Sequence, residues 1–359
     1  MKKLEILVMP VGRDGSSFYR ATQPYTEIHK QELAGVTLVQ PSELESTDFW
    51  NAIQKCDWIM VRMSHSDFVI NWLDKFVPNK KIILDIDDNI WDVSPYADIY
   101  RWHGTQEVKH GDKWLWRDGE DDFNIRRNKR RLARDEALFA RANLVTVSTP
   151  RLEKLLKVFN PNTKVIYNGI NFDNWKPYKM EKDKYFRIGW SGGVSHYVDL
   201  IEFKDDLEYL MDKHKNLKFV EAGTHFEGIT KNLDQDRVEK IPWVDVEAHP
   251  YRSALMNLDL AVIPLAKNSF NECKSCVKWY EFSALGVPTI ATNIPPYSDE
   301  MPEFSTPNNF REAIEELMNA KARRDKMVEY NLNWVVKNRD IKKIAKELHE
   351  HIAKSTPGR

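Results

Sequence analysis

The chain lacks an excess of either charge, a paired cysteine framework and a long apolar run, and each absence removes a class of protein. Lysine plus arginine number 53 against 54 aspartates plus glutamates, a formal net charge of −1. No global field therefore advertises a nucleic acid or a membrane as partner, and any polyanion site must be local. Three cysteines, Cys56, Cys273 and Cys276, form an odd set, which points to reduced thiols in a cytosol-like compartment. Cys273 and Cys276 have C-x-x-C spacing, but the second ligand pair of a zinc site is missing, and packing is the plainer account. No run of about 18 apolar residues occurs, so nothing in the sequence reads as a transmembrane helix; peripheral membrane contact stays open. The start, MKKLEILVMPVG, has a short apolar run broken by Glu5 and followed by Pro10 and Gly12. Without a small-residue cleavage site it reads as a first strand rather than a signal peptide, and the expected location is cytoplasmic.

At 359 residues the chain exceeds the size at which one core usually keeps growing, so two domains are expected. Strand-like runs alternate with helical patterns, which favours parallel sheets wrapped by helices. LEILVMP is followed by CDWIMVRM (56–63), KKIILDID (80–87), ANLVTVST (142–149) and KVIYNGINF (164–172). The charged stretch DNWKPYKMEKDKY has no apolar period and is the candidate linker. A second series runs FRIGWSGG (186–193), a helix near 198–213, LKFVEAG (217–223), VEKIPWV (238–244), LDLAVIPL (258–265) and VPTIATN (287–293). The expected fold is α/β with two Rossmann-like αβα domains facing each other across a cleft: residues 1–175, with a Trp-rich insertion over about 91–123, and residues 184–330. The final segment is helical by period, and residues 331–359 are expected to pack back on the first domain.

The stretch KSCVKWYEFSALGVPTIATN (274–293) reads as a helix followed by a strand. Glu281 falls on the inward face with Val277, Ala284 and Leu285, where an unpartnered carboxylate costs several kcal/mol. Backbone N–H groups of Ser275 to Lys278 open the helix and favour an anion. Lys274 and Lys278, four residues apart, add positive charge there. A diphosphate suits this geometry, and Glu281, one turn further in, is placed to accept from the two hydroxyls of a ribose. The competing account is an internal Lys278–Glu281 pair three residues apart. IGWSGGVSHYVDL supplies a strand, then Gly192 and Gly193, then Ser195 as a cap, with His196 beside it; glycines there let a phosphate approach the main chain, although a tight strand-to-helix turn explains them equally.

Three motifs, ECKSCVKWYEFSALGVPTIATNIPPY, YNGINFDNW (167–175) and IGWSGGVSH, taken in order, resemble the donor-site signature of retaining GT-B glycosyltransferases of the family-four kind. The likeness covers roughly the second half of the chain. It implies a nucleoside diphosphate sugar as donor substrate, no tightly bound cofactor and no required metal. It makes Glu281 the ribose-binding carboxylate and sets Gly192 and Gly193 beside the diphosphate. The family commonly has another Glu eight residues before 281; here that position is Cys273, and Glu272 is adjacent. Val194, Ser195 and His196 stand where the family has Arg or Lys, so Lys274 and Lys278 are the candidates to stabilise the departing diphosphate. Ser275, His196 and Glu272 complete the expected donor contacts.

In the first half, DIDDNIWDVSP (85–95) puts acids at a strand's carboxyl end, where ligands bind in open α/β sheets. The resemblance makes Asp87 or Asp88 the residue that touches the donor sugar or the acceptor hydroxyl; a divalent cation or helix capping are the other uses of such acids. GRDGSSFYR (12–20) offers Gly15, Ser16 and Ser17 after the first strand, and His65 follows the second. Trp91, Trp102, Trp114 and Trp116 fill the insertion, either as an acceptor platform or as a small satellite core. RRNKRRLAR (126–134), including Arg127 and Arg130, reads as a solvated face or as a grip on phosphates. The acceptor is therefore a glycan, a lipid-linked glycan or a hydroxymethylated base in DNA. A nucleotide-sugar epimerase of the same fold and a non-catalytic nucleotide-binding module are the alternative functions.

Overall fold

A computed structural model describes residues 3–9, 12, 14–43, 46–62, 80–178 and 180–355. The chain divides into two compact units: Met1–Asp88, Arg130–Gly169 and Arg339–Arg359 form the first, and Asn89–Lys129 with Ile170–Asn338 form the second.

The first unit is built on a parallel sheet. Its strands are β1 (Glu5–Met9), β2 (Gly35–Leu38), β3 (Trp58–Arg62) and β4 (Lys81–Ile86). After a hairpin of the other unit, β5 (Val108–His110) with β6 (Lys113–Trp116), come β7 (Leu144–Val147) and β8 (Thr163–Val165). The order is β2-β1-β3-β4-β7-β8. Strands β3 and β7 are buried along their whole length and are mostly apolar, as strands covered on both faces are, with Arg62 and Thr146 the polar exceptions. Strand β2 is an edge strand of four residues with Thr37 exposed, and such a run carries little signal above its surroundings. Ile341, Ile344, Ala345, Leu348 and Ile352 line one face of the helix Ile341–Lys354 and join Ile6, Val8, Trp58 and Met60 in the core. Asp340 caps that helix, its Oδ1 accepting from the Lys342 N–H at 2.9 Å.

The second unit holds a parallel sheet of β9 (Phe186–Gly192), β10 (Leu217–Gly223), β11 (Val238–Pro242), β12 (Leu260–Ile263) and β13 (Thr289–Ala291), ordered β11-β10-β9-β12-β13. Chain order reverses between β9 and β12, so the crevice at the carboxyl ends of those two strands is the switch point of this sheet. In the first sheet the reversal falls between β1 and β3.

The Trp-rich insertion expected in the first domain over about 91–123 lies within Asn89–Lys129, which clusters with the second unit. Val93, Ala97, Tyr100 and Phe123 form a satellite core with Phe270 of the loop after β12, and Ser269 Oγ donates to Asp92. Burial against Phe270 explains the placement: the insertion has too few apolar residues to close a core alone. Among the described residues, no helix is long and apolar enough to cross a membrane.

Candidate functional site

The crevice of the second sheet is organised by one buried carboxylate. Asp199, in the short helix Tyr197–Ile201, accepts from His196 Nδ1 at 2.7 Å on Oδ2. Its Oδ1 accepts from the Ala266 N–H at 3.0 Å and from Asn271 Nδ2 at 2.6 Å. Asp199 thereby ties the turn after β9 to the loop after β12. Burial works to raise its pKa, but the His196 hydrogen bond and the other donors outweigh this and leave it lowered. His196 is pushed down to about 4 by burial and by the nearby Lys278 charge, against the pull of Asp199. It is uncharged at neutral pH, with its proton on Nδ1 and Nε2 left as an acceptor.

The two glycines of that turn differ. A Cβ at Gly192 would lie 2.4 Å from the Trp190 ring, whereas one at Gly193 would meet nothing within 4 Å. Gly192 is required for packing, and Gly193 leaves its backbone open to an approaching group. Opposite, Gly223 ends β10 with φ +98°, and a Cβ there would come within 2.4 Å of the Gly192 carbonyl oxygen.

The helix expected to open at Ser275 begins at Val277, with Cys276 as its N-cap and no side-chain cap. Ser275 therefore precedes the helix, because Asn271–Cys273 form a separate single turn. From Trp279 to Ala284 every residue is buried: Trp279 and Tyr280 stack on Trp334 at centroid distances of 4.9 and 6.3 Å. Glu281 is thus not an intruder on one apolar face but part of a helix buried on nearly all sides. Lys278 sits with Nζ 5.3 Å from the Trp190 ring centroid. Burial pulls its pKa down to about 8, only partly opposed by Asp199, with Lys274 lowering it further. Lys274 Nζ lies 4.5 Å over the Phe270 ring, and Glu272 is half-buried in the turn before it.

Glu281 accepts from His249 Nε2 at 3.2 Å. Arg252 donates to His249 Nδ1 at 2.7 Å and to Ser191 Oγ at 2.6 Å. The Trp175 ring meets the His249 ring edge-on at 5.4 Å. None of His249, Arg252 or Asp199 was singled out in the sequence. His249 and Arg252 lie in EAHPYRSAL, a segment without a glycine turn or an acid pattern, and only the fold brings them to Glu281.

In the first unit, four carboxylates surround Arg62 at the end of β3. Asp87 accepts from it at 2.5 Å, Asp85 and Asp14 lie 3.7 and 3.9 Å away, and Asp88 adds its field. Burial works to lower the Arg62 pKa, but these acids outweigh it and hold it raised. Asp85 is fully engaged: Arg20 donates to it at 2.7 Å and Thr146 Oγ1 at 2.7 Å. Asp87 is therefore a charge-paired acceptor at the strand end. Gly15, Ser16 and Ser17, expected as an open loop, form the first turn of a helix capped by Asp14. Ser17 is buried and accepts from Arg62 at 3.4 Å, which spends its hydroxyl inside the fold; Gly15 and Ser16 are exposed.

In the insertion, Trp91 is half-buried, Trp114 is exposed with Lys109 Nζ 4.2 Å over its ring, and Trp116 stacks in the satellite core. Arg127 pairs with Asp122 at 2.7 Å and lies 4.9 Å over Trp102, while Arg130 is exposed. His65 lies outside the described residues.

Two parallel Rossmann-like units, with a crevice of this composition in the second, define the GT-B class of fold. Solved structures agree. A glycosyltransferase from Rickettsia africae is 13% identical with a TM-score of 0.62, covering 99% of this chain and 100% of its own. The catalytic domain of Arabidopsis thaliana starch synthase IV, solved with ADP and acarbose, is 11% identical with a TM-score of 0.64 and 99% coverage of both chains. A Listeria monocytogenes protein described as a UDP-N-acetylglucosamine 2-epimerase is 9% identical with a TM-score of 0.56, covering 98% and 96%. No protein-family model and no curated protein matches the chain, so the likeness is one of fold.

Proposed function

We propose that the protein transfers a glycosyl group from a nucleoside diphosphate sugar to a hydroxyl acceptor, with retention at the anomeric carbon. The observation that carries this reading is the composition of the second sheet at its switch point. It combines the open Gly193 backbone after β9, Lys278 in the first turn of a helix with its pKa pulled down to about 8 by desolvation, and the Glu281 carboxylate three residues further along that helix. A diphosphate supplies negative charge to Lys278 and meets the N–H groups that open the helix. The attached ribose supplies donors for Glu281, and His196 Nε2 is an acceptor for a sugar hydroxyl.

In the reaction the bond from the anomeric carbon to the diphosphate breaks as the acceptor oxygen bonds to that carbon. The acceptor's proton passes to the departing phosphate oxygen on the same face. Lys278, Lys274 and the helix start stabilise the charge that develops on the leaving group. No side chain of this chain need act as a base. The reading includes no tightly bound cofactor or metal and a cytoplasmic location. The acceptor is a glycan, a lipid-linked glycan or a hydroxymethylated base in DNA: in the basic run Arg127 and Arg134 pair with Asp122 and Asp135, while Arg126, Lys129 and Arg130 are exposed.

A thermal-shift screen of UDP-, ADP- and GDP-sugars tests the donor. A true ligand at 100 times its Kd stabilises by about 2.7 kcal/mol, and no shift with any donor would count against the reading. Release of nucleoside diphosphate from the selected donor then tests the chemistry: Glu281→Gln is expected to reduce it at least about tenfold, on the scale of one lost charged hydrogen bond. Conversion of the donor sugar with no diphosphate released would instead identify an epimerase.

A further inference from the structure

Arg252, His249 and Glu281 form a chain whose proton positions follow from donor and acceptor chemistry. A guanidinium has five N–H donors and no acceptor, so the 2.7 Å contact between Arg252 and His249 Nδ1 requires a lone pair on Nδ1. The proton of this imidazole therefore sits on Nε2, and Nε2 donates to Glu281 Oε1 at 3.2 Å. Arg252 is itself buried, is held by Ser191 Oγ at 2.6 Å, and keeps its Nε without a hydrogen-bond partner among the described residues. The Trp175 ring closes one side of the imidazole. In this arrangement His249 presents a fixed N–H to the buried Glu281 carboxylate, which accepts it.

We propose that Arg252 and His249 are positioning residues that fix Glu281 as an acceptor and thereby set a preference for ribonucleoside over 2′-deoxyribonucleoside diphosphates. This rests on the reading of Glu281 as the ribose contact. An ionised carboxylate accepts two hydroxyl donors, and a ligand with one hydroxyl leaves a buried acceptor position unfilled. Without the Nε2–H, the carboxylate loses the contact that orients it toward both hydroxyls.

Calorimetric titration of UDP against dUDP, ADP against dADP and GDP against dGDP reads this directly. The wild-type protein is expected to favour one ribonucleotide over its deoxy form at least about tenfold. His249→Leu is expected to bring that ratio within about twofold. His249→Gln, whose amide both accepts from Arg252 and donates to Glu281, is expected to restore it to within about threefold of wild type. Thermal unfolding of each variant checks that it is folded. A ratio unchanged in a folded His249→Leu, or lost equally in His249→Gln, overturns the relay while leaving nucleotide binding intact. Binding of neither nucleotide by wild type overturns the proposed function, and the relay with it.

Discussion

Lys278 combines burial with a pKa of about 8, which makes its charge the most pH-sensitive part of the site. A bound diphosphate favours the ammonium form, so binding above pH 8 takes up a proton that the free protein has lost. Affinity for the nucleoside diphosphate is expected to fall as pH rises through 8, where the diphosphate itself is already fully ionised. Lys278→Arg should flatten that fall, because a guanidinium keeps its charge. Titrations at pH 7, 8 and 9 measure both, and a flat profile in the wild type would contradict the role given to Lys278. In the first unit, Asp85 is the acceptor on which Arg20 and Thr146 converge inside the fold. Asp85→Ala leaves a buried guanidinium without its ion partner and is expected to cost about 3–5 kcal/mol in denaturant unfolding. Asp87→Ala, at a more open strand end, should cost much less.

At the scale of elements, the two tight turns of the second sheet separate structure from function. Gly223→Ala forces a left-handed residue against the Gly192 carbonyl oxygen and is expected to destabilise by about 1–3 kcal/mol. Gly193→Ala has room and an ordinary φ of −94°, so stability should stay within about 0.5 kcal/mol. If a phosphate passes over that backbone, donor affinity should nevertheless drop. Thermal unfolding and donor titration on the same two variants decide the matter, and equal effects on both readouts would remove the distinction. Buried parallel strands were the most legible elements, because β3, β7 and β12 are predominantly apolar runs, interrupted only by Arg62 and Thr146. Strand β2 was not legible: a four-residue edge strand shows neither a long run nor strict alternation. The helix start was displaced to Val277 because the N-cap is Cys276, a residue with no capping signal, rather than a serine or aspartate. The insertion's aromatic content was plain in the sequence, but its packing partner, Phe270, lies far along the chain.

For the whole molecule, alternation of strands and helices through 359 residues was enough to expect two parallel-sheet units, because a parallel connection needs a crossover helix and so leaves a long periodic signature. Which residues meet within a unit was not legible in the same way. Glu281 was found by its conflict with its surroundings, whereas its partner His249 lies 32 residues earlier in the chain and carries no local anomaly. Such long-range polar pairs are fixed by strand order, which periodicity does not report.

The central claim, that Glu281 receives the ribose of a nucleoside diphosphate, is tested most directly by a crystal structure with the tightest-binding diphosphate of the screen. The account predicts a ribose hydroxyl within about 3.2 Å of a Glu281 carboxylate oxygen, with the phosphates over Gly193 and the start of the helix Val277–Ala284. A ribose bound elsewhere, with the Glu281 carboxylate making no contact to the ligand, would contradict it.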